Sequence, residues 1–537
     1  MRRPVLTLVL LSLLTFFFGL GRQAITDSDE GFYAEAAREM VESGDWLTPY
    51  FNYAQRWQKP VLYYWLTSAT YVISGPTEWA ARFWSALSGL GLALLTWRAA
   101  RQFGPAHAWL AGAIVATCYG YFAMARLALP DLPLAFCITL AIWAVLDNRW
   151  MLAGVAAALG FLLKGPVALA VPALVLLPVW WRERHAGVPR ASAVASAAAV
   201  FLIIGLPWYL GMTATHGRAY LDSFFLGDNF ERFATDRFND PRPIWFYVPI
   251  VIGGMLPWGM YLLVLPWRRL AGVVRRTMRL TGEEWRLVIW AFVPLIFFTI
   301  SIGKQPRYIL PVLPPLAILL ARSLMSRIEA PTAEGTRGLA IGTWLTAALY
   351  AALAVLLFRA RPLFITVSPT VATLAIGVIA VASLVIAWLA ASRHWHRLPA
   401  VMTACAAALL LAVQFGALAG IRPEPVEKMA SLVREHRTSG QRVGEYQVFV
   451  RNLVFYTRFR QEELFDEALA LDFLNSQEPV LLVVSAVELP RLTAISGVTT
   501  RTLGQVQYLD TANIRLRTLL NPIPEQDLET VLLITNR

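Results

Sequence analysis

The feature that most constrains this chain is a series of apolar runs, each of about 15 to 23 residues, that continues to about residue 420. A helical run of that length crosses the hydrocarbon core of a bilayer, since each residue rises about 1.5 Å. The mean hydropathy of +0.53 and a charged fraction of only 15% are also typical of a membrane-spanning protein. We therefore predict an α-helical integral membrane protein with about 13 transmembrane helices. The expected spans are 4–21, 80–98, 106–125, 131–147, 150–163, 166–181, 192–213, 244–266, 286–302, 308–321, 339–358, 369–391 and 398–420.

The distribution of arginine predicts the orientation of these spans. The net charge of +12 comes mainly from short arginine clusters between apolar runs, which is typical of cytoplasmic loops and argues against a nucleic-acid partner. The segment 267–286 alone holds six arginines. Before the first acidic loop there is no small-residue cleavage site, so the first span is expected to be a retained anchor that begins inside. The loops 22–79 and 214–243 then lie outside.

The composition changes at about residue 421. VEKMASLVREHR has helical spacing, whereas VGEYQVFV, PVLLVVS and TVLLIT are typical of strands. We predict two domains: a multi-span transmembrane catalytic domain over 1–420 and a soluble α/β domain over 421–537 on the outer face. The second has no catalytic motif, so a packing or recognition role is expected.

The first outer loop carries unusual charge. Asp29 and Glu30 follow the first span directly, and Lys59 comes thirty residues after Asp29. Charge at a membrane boundary is costly on one side, so packing does not explain it. We predict that Asp29 and Lys59 face one reaction site. AREMVESGDWL and PVLYYWLTSATYVI, in the same loop, are expected to form amphipathic helices in the membrane interface.

Further charged and aromatic residues are expected at the same outer face. The whole set is Asp29, Glu30, Lys59, Asp131, Lys164, Arg232, Lys304, Arg307 and Tyr308. Cations at headgroup depth would stabilise the charge that grows on a lipid-linked phosphate during cleavage, and a carboxylate would orient or deprotonate an acceptor. Simpler roles stay open: a helix cap for Asp29 or Asp131, snorkelling for Lys59, a turn at Lys164, an ion pair with Asp228 or Asp236 for Arg232, and an aromatic belt for Tyr308.

The stretch DEGFYAEAAREMVESGDWLTPYFNYAQRWQKPVLYYWL resembles a motif of membrane glycosyltransferases. The family includes the aminoarabinose transferase acting on lipid A, and protein O-mannosyltransferases are more distantly related. LLKGPVALA, NFERF, PIWFYVPIVIGGMLPW and GKQPRYILP follow in the family's order. The resemblance implies a fold of the GT-C class, an undecaprenyl-phosphate-linked sugar donor and inversion at the sugar. It also implies a bacterial inner membrane location, with the active site and the C-terminal domain in the periplasm.

The resemblance suggests roles for Asp29, Asp131, Lys59, Arg232 and Tyr308, and the predicted outer face adds Glu30, Lys164 and Lys304 to the candidates. The predicted catalytic residues are Asp29, Asp131 and Glu30, with Asp29 as the base or acceptor-orienting group. The predicted contacts of the carrier phosphate are Lys59, Arg232, Tyr308, Lys164 and Lys304.

This sequence departs from the family pattern at three positions. Phe32 replaces an Arg, Gln58 replaces a Glu, and Val61 replaces a Pro. A changed acceptor or sugar is therefore expected. The acceptor class stays open among lipid, glycan and protein.

Two other functions remain as alternatives. A transporter or flippase for a lipid-linked saccharide would need charges in mid-span or inverted repeats, and neither is evident in the sequence. A non-catalytic scaffold that presents the C-terminal domain is the third hypothesis. No His or Cys spacing demands a metal, so no cofactor is expected to be required, although phosphate chemistry is compatible with a divalent cation.

Overall fold

The computed structural model describes residues 2–183, 189–231, 235, 242–265, 280–510 and 514–537. Each predicted apolar run contains helix. Among the described residues, four helices are long and apolar enough to cross a membrane, or six if each of two bent pairs is one span. The prediction of a multi-span α-helical membrane protein is therefore confirmed. The count of thirteen spans stays a prediction.

The described residues form 24 α-helices, the last six of which belong to the C-terminal part. They are α1 (Arg2–Ser12), α2 (Asp29–Ser43), α3 (Leu62–Ser74), α4 (Glu78–Ala100), α5 (Pro105–Ala116), α6 (Tyr119–Ala125), α7 (Asp131–Leu146), α8 (Trp150–Lys164), α9 (Val167–Glu183), α10 (Ala191–Gly205), α11 (Pro207–Leu221), α12 (Tyr247–Gly254), α13 (Gly259–Leu262), α14 (Gly282–Ile300), α15 (Leu313–Glu329), α16 (Ala333–Ala360), α17 (Pro369–Ser392), α18 (Leu398–Val413), α19 (Pro425–His436), α20 (Leu453–Thr457), α21 (Glu467–Leu474), α22 (Leu489–Ser496), α23 (Leu516–Leu520) and α24 (Pro524–Asp527).

The first outer loop folds into α2, α3 and a two-stranded hairpin of β1 (Tyr50–Phe51) and β2 (Ala54–Gln55). Ten of the fifteen residues of α2 are buried. Protein therefore encloses the first part of α2, and the interfacial position expected for AREMVESGDWL stays a prediction. By contrast, α3 buries one face and exposes Val72 and Ile73, which matches the predicted amphipathic helix.

The C-terminal part contains a five-stranded mixed sheet in the order β4-β3-β5-β7-β6. Its strands are β3 (Val443–Tyr446), β4 (Glu462–Leu464), β5 (Leu481–Ser485), β6 (Arg501–Tyr508) and β7 (Glu529–Thr535). β3 is parallel to β4 and β5, whereas β7 is antiparallel to β5 and β6. Apolar clusters form on both faces of the sheet. The three strand-like sequence runs contain β3, β5 and β7, and the division into two domains stays a prediction.

The C-terminal part packs against the first outer loop through α20 and the residues just before it. The phenol of Tyr456 accepts a hydrogen bond from the Ile25 N–H (2.8 Å), and the Asn452 amide donates to the Ile25 carbonyl (2.8 Å). A Cβ atom at Gly31 would collide with the Arg451 carbonyl oxygen, so glycine permits the close approach of α2. The contact brings the loop before α20 to the start of α2.

Candidate active site

A cavity of about 390 Å³ lies between α7, α9, α14, the π-helical segment Asp222–Glu231 and the 3₁₀ segment Pro306–Val312. Most of its wall is apolar, with Leu134, Ile138, Val167, Phe224, Phe225 and Phe298 among the lining residues. Its polar side chains are Lys59, Asp131, Lys164, Asp228, Ser301, Arg307 and Tyr308. The cavity thus combines an apolar wall with a cluster of charged groups.

Asp29 is placed by the start of α2. Ser28 is the N-cap, and its hydroxyl accepts a hydrogen bond from the Glu30 N–H (3.2 Å). Asp29 is therefore the first helical residue rather than the cap, and a carboxylate there is favoured by the helix dipole. Because Ser28 does the capping, the Asp29 side chain is left to pair with another group.

The partner of Asp29 is Arg307, which donates a hydrogen bond to Oδ2 of Asp29. Asp29 does not line the cavity, but Arg307 does. Burial raises the pKa of Asp29, while the positive charges of Arg307, Arg451 and Arg56 lower it more, so the net pKa lies below its usual value. Asp29 is accordingly held as a carboxylate.

Asp131 and Lys164 meet because α7 and α8 form an antiparallel hairpin. Asp131 begins α7 and Lys164 ends α8, and their side chains form an ion pair. Gly165, at φ 73°, ends α8 and lets the chain reverse into α9, so the turn expected at Lys164 is present. Nε of Arg307 lies 3.5 Å from Oδ2 of Asp131. Arg307 thereby connects the Asp29 and Asp131 carboxylates.

Lys59 enters the same cavity from the first loop. Its ammonium lies 3.2 Å from Oδ1 of Asp228, and both side chains are largely buried. Tyr308 lines the cavity too, with its ring centroid 4.7 Å from Nζ of Lys164. The structure therefore brings Lys59, Lys164, Tyr308 and Asp131 to one cavity, and Asp29 to its edge through Arg307.

Among the described residues, Glu30 and Lys304 do not line this cavity either, although the sequence predicts them at the site. Glu30 is fully buried in an ion pair with Arg82 (2.7 Å) and accepts the N–H of Ala128 (2.9 Å). The structure corrects the expectation for Glu30, because these contacts turn its carboxylate into the protein. Lys304 is also buried, and its ammonium donates to the Ser301 carbonyl behind the cavity wall. Arg232 lies outside the described residues.

The site also contains residues that sequence reasoning missed. The sequence predicts Asp228 only as a partner for Arg232, and it places Arg307 on the outer face without a role of its own. Arg56 and Arg451 were not considered at all, yet their guanidinium carbons lie 3.9 Å and 5.3 Å from the Phe32 ring centroid. The QRWQKP stretch, with a cation three residues before Lys59, was the available signal for Arg56.

Metal binding was tested on the side chains present. Within the described ranges, no group of three or more His, Cys, Asp or Glu side chains is placed to hold a metal ion. The three cysteines are buried, as expected for small apolar side chains.

Comparisons with known proteins find the same kind of relatives that the first-loop motif predicts. The model of the dolichyl-phosphate-mannose-protein mannosyltransferase family matches residues 8–216. An undecaprenyl phosphate-alpha-4-amino-4-deoxy-L-arabinose arabinosyl transferase of Proteus mirabilis is 31% identical over 378 residues, 66% of each chain. A namesake from Pseudomonas fluorescens is 34% identical over 352 residues, 61% of each chain. The chain thus spans less than two thirds of the length of these relatives.

A solved structure extends the likeness to nearly the whole chain. ArnT from Cupriavidus metallidurans, bound to undecaprenyl phosphate, superposes with a TM-score of 0.74 at 23% identity and covers 99% of this chain and 98% of its own. The fold is thus that of a multi-span membrane protein with the architecture of ArnT. The resemblance to aminoarabinose-transferase-like membrane glycosyltransferases, predicted from the first-loop motif, is confirmed.

Proposed function

We propose that this chain is a glycosyltransferase that moves a sugar from a polyprenyl-phosphate carrier to an anionic acceptor. The observation that carries the proposal is the position of Arg307, which binds Asp29 and lies 3.5 Å from Asp131 at an apolar cavity that also holds Lys59 and Lys164. An apolar wall suits a lipid chain, cations suit its phosphate, and the carboxylates suit the reacting sugar and acceptor.

The donor is proposed to bind with its phosphate among Lys59, Lys164, Arg307 and Tyr308. When the bond between the sugar and the phosphate breaks, the phosphate gains negative charge. Fixed cations in a partly desolvated cavity stabilise this charge without having to reorient. Arg232 remains a proposed further contact on the basis of the family motif.

Asp29 is proposed to orient the acceptor, and Asp131 to hold Lys164 and Arg307 in place. The acceptor would attack the sugar carbon from the side opposite the phosphate, which inverts the anomeric centre. Glu30 is assigned a positioning role, because its ion pair with Arg82 fixes the start of α2, where Asp29 directly precedes it.

The acceptor class follows from the charges around Asp29. Arg56 and Arg451 flank the ring of Phe32 and, in the described part of the chain, neither forms an ion pair with a carboxylate. The lowered pKa of Asp29 makes it a weak base. A phosphate or carboxylate acceptor needs no deprotonation and would be attracted by these arginines. A neutral hydroxyl acceptor fits less well.

The sugar is proposed by analogy. The named relatives carry 4-amino-4-deoxy-L-arabinose in their names, which makes this the first sugar to test. Lipid A, which the resemblance implies, has phosphate groups and fits the arginine cluster. The proposed location is a bacterial inner membrane, with the cavity and the C-terminal sheet on the periplasmic face.

A direct test is transfer by the purified full chain in lipid nanodiscs. Radiolabelled undecaprenyl-phosphate-linked aminoarabinose would be offered with lipid A and with the same lipid lacking its phosphates. We expect label on the phosphorylated acceptor only, in the presence or absence of a chelator. Label on neither acceptor, together with movement of the donor across the bilayer of proteoliposomes that contain the same chain, would instead support the flippase.

A further inference from the structure

The ion pair between Lys59 and Asp228 joins two distant parts of the chain inside the cavity. Lys59 comes from the first outer loop, and Asp228 from the π-helical segment Asp222–Glu231. The side chain of Lys59 is 17% exposed and that of Asp228 is 6% exposed. A buried ammonium without a counter-charge is strongly unfavourable, so Asp228 stabilises Lys59 whenever the cavity holds no other anion.

The proposed reaction changes the charge that competes for Lys59. In the donor, the carrier phosphate is a diester with one negative charge. When the sugar leaves with the acceptor oxygen, the bond from the phosphate oxygen to the anomeric carbon breaks, and that oxygen keeps the electron pair. The phosphate becomes a monoester with a charge of about −1.5 to −2 at pH 7. The spent carrier is therefore attracted to the cations more strongly than the donor, which hinders its release.

We infer that Asp228 promotes release of the spent carrier, because its carboxylate competes with the carrier phosphate for the ammonium of Lys59. This inference rests on the proposed function and deepens it. While carrier phosphate is bound, Lys59 pairs with the phosphate. As the phosphate leaves, the ammonium returns to Asp228 and is never left buried and alone. Asp228 is thus a positioning residue that acts through Lys59.

This role has a consequence that a structural role would not have. Removing the negative charge of Asp228 takes away the competitor of the phosphate, so the spent carrier binds more tightly. A variant that merely damaged the cavity would bind it more weakly. The sign of the change in affinity therefore separates the two roles.

The experiment measures the Kd of undecaprenyl phosphate for the full chain in nanodiscs, together with sugar transfer. Asp228→Asn keeps the shape of the side chain and removes the charge. We expect its Kd to fall roughly tenfold, as is typical when a close competing charge is removed, and kcat to fall while the KM for donor does not rise. Asp228→Glu should restore release. Asp222→Asn, in the same segment but half exposed, should leave Kd and kcat unchanged.

Two further outcomes decide the inference. In Lys59→Ala, the added substitution Asp228→Asn should no longer change Kd, because its effect passes through Lys59. Unchanged or weaker binding of undecaprenyl phosphate by Asp228→Asn, with normal binding by the unsubstituted chain, would overturn the release role alone. No binding by the unsubstituted chain would overturn the proposed function, and this inference with it.

Discussion

The guanidinium of Arg307 donates a hydrogen bond to the carboxylate of Asp29, although 278 positions separate the two residues. The contact joins the first outer loop to the 3₁₀ segment before α15, and the same guanidinium faces Asp131. Arg307 therefore links Asp29, proposed to orient the acceptor, to Asp131, proposed to hold the cations of the cavity in place. Several expected outcomes depend on this arrangement.

Arg307→Ala should remove most transfer activity. It leaves Asp29 and Asp131 as neighbouring carboxylates and takes a cation from the carrier phosphate, so we expect kcat/KM to fall by about 100-fold or more. Arg307→Lys keeps the charge but cannot contact Asp29 and Asp131 together. Its kcat/KM should therefore lie between that of Arg307→Ala and that of the unsubstituted chain. Arg361→Ala, an exposed arginine outside the cavity, is the control. Initial rates with labelled donor measure the effect, and equal rates for Arg307→Ala and the control would refute the role.

Arg451→Ala should weaken use of the acceptor but not of the donor. Arg451 comes from the C-terminal part and stacks over Phe32, beside Asp29. We expect the KM for a phosphorylated acceptor to rise by roughly 5- to 20-fold, in the range of one lost charge-assisted hydrogen bond. The Kd of undecaprenyl phosphate should not change. Arg460→Ala, exposed on the same part of the chain, is the matched control. A rise in donor Kd instead would place Arg451 in the donor site.

Glu30→Gln should lower the stability of the folded protein rather than impair the chemical step of transfer. Glu30 and Arg82 are fully buried and paired at 2.7 Å, so neutralising one partner leaves the other charge buried and should cost roughly 3–5 kcal/mol. Thermal unfolding in detergent should show a clearly lower Tm. The fraction that remains folded should bind undecaprenyl phosphate normally. A normal Tm together with lost transfer would restore Glu30 to the catalytic group.

The stability of the first loop should depend on pH through Glu39. Burial and the neighbouring Glu35 raise the pKa of Glu39 to about 8 from the ordinary value of 4.5. Between these values the folded chain binds more protons than the unfolded chain, so stability should fall as pH rises from about 4.5 to 8. Glu39→Gln should flatten this fall and raise the Tm at pH 8. Exposed Glu435→Gln should have no effect, and a Tm that rose over the same window would contradict the account.

The parts of this site that could be predicted are those fixed by short-range rules. Asp131 and Lys164 lie at the same end of a hairpin of apolar helices, so their approach follows from span lengths and one short connection. Lys59 lies three residues before α3 in the same sequence motif, which keeps it close to the first loop. The first-loop motif then supplied the family resemblance.

The remaining parts depend on contacts between distant segments. Asp228 and Arg307 reach their partners across 169 and 278 positions, and no periodicity encodes such pairs. The sequence pattern of α2 does not encode its burial against α3 and the loop before α20, where Gly31 permits a close approach to the Arg451 backbone. Glu30 was misplaced for a related reason, since its partner Arg82 lies on α4.

The measurement that tests the central claim most directly compares Lys59→Ala and Asp29→Asn for both carrier binding and transfer. If one cavity binds the carrier phosphate beside an acceptor-orienting carboxylate, Lys59→Ala should weaken undecaprenyl phosphate binding by about tenfold or more. Asp29→Asn should keep that binding, and both variants should lose nearly all transfer. Transfer at the unsubstituted rate by both variants would contradict the account, because the sugar would then be moved elsewhere.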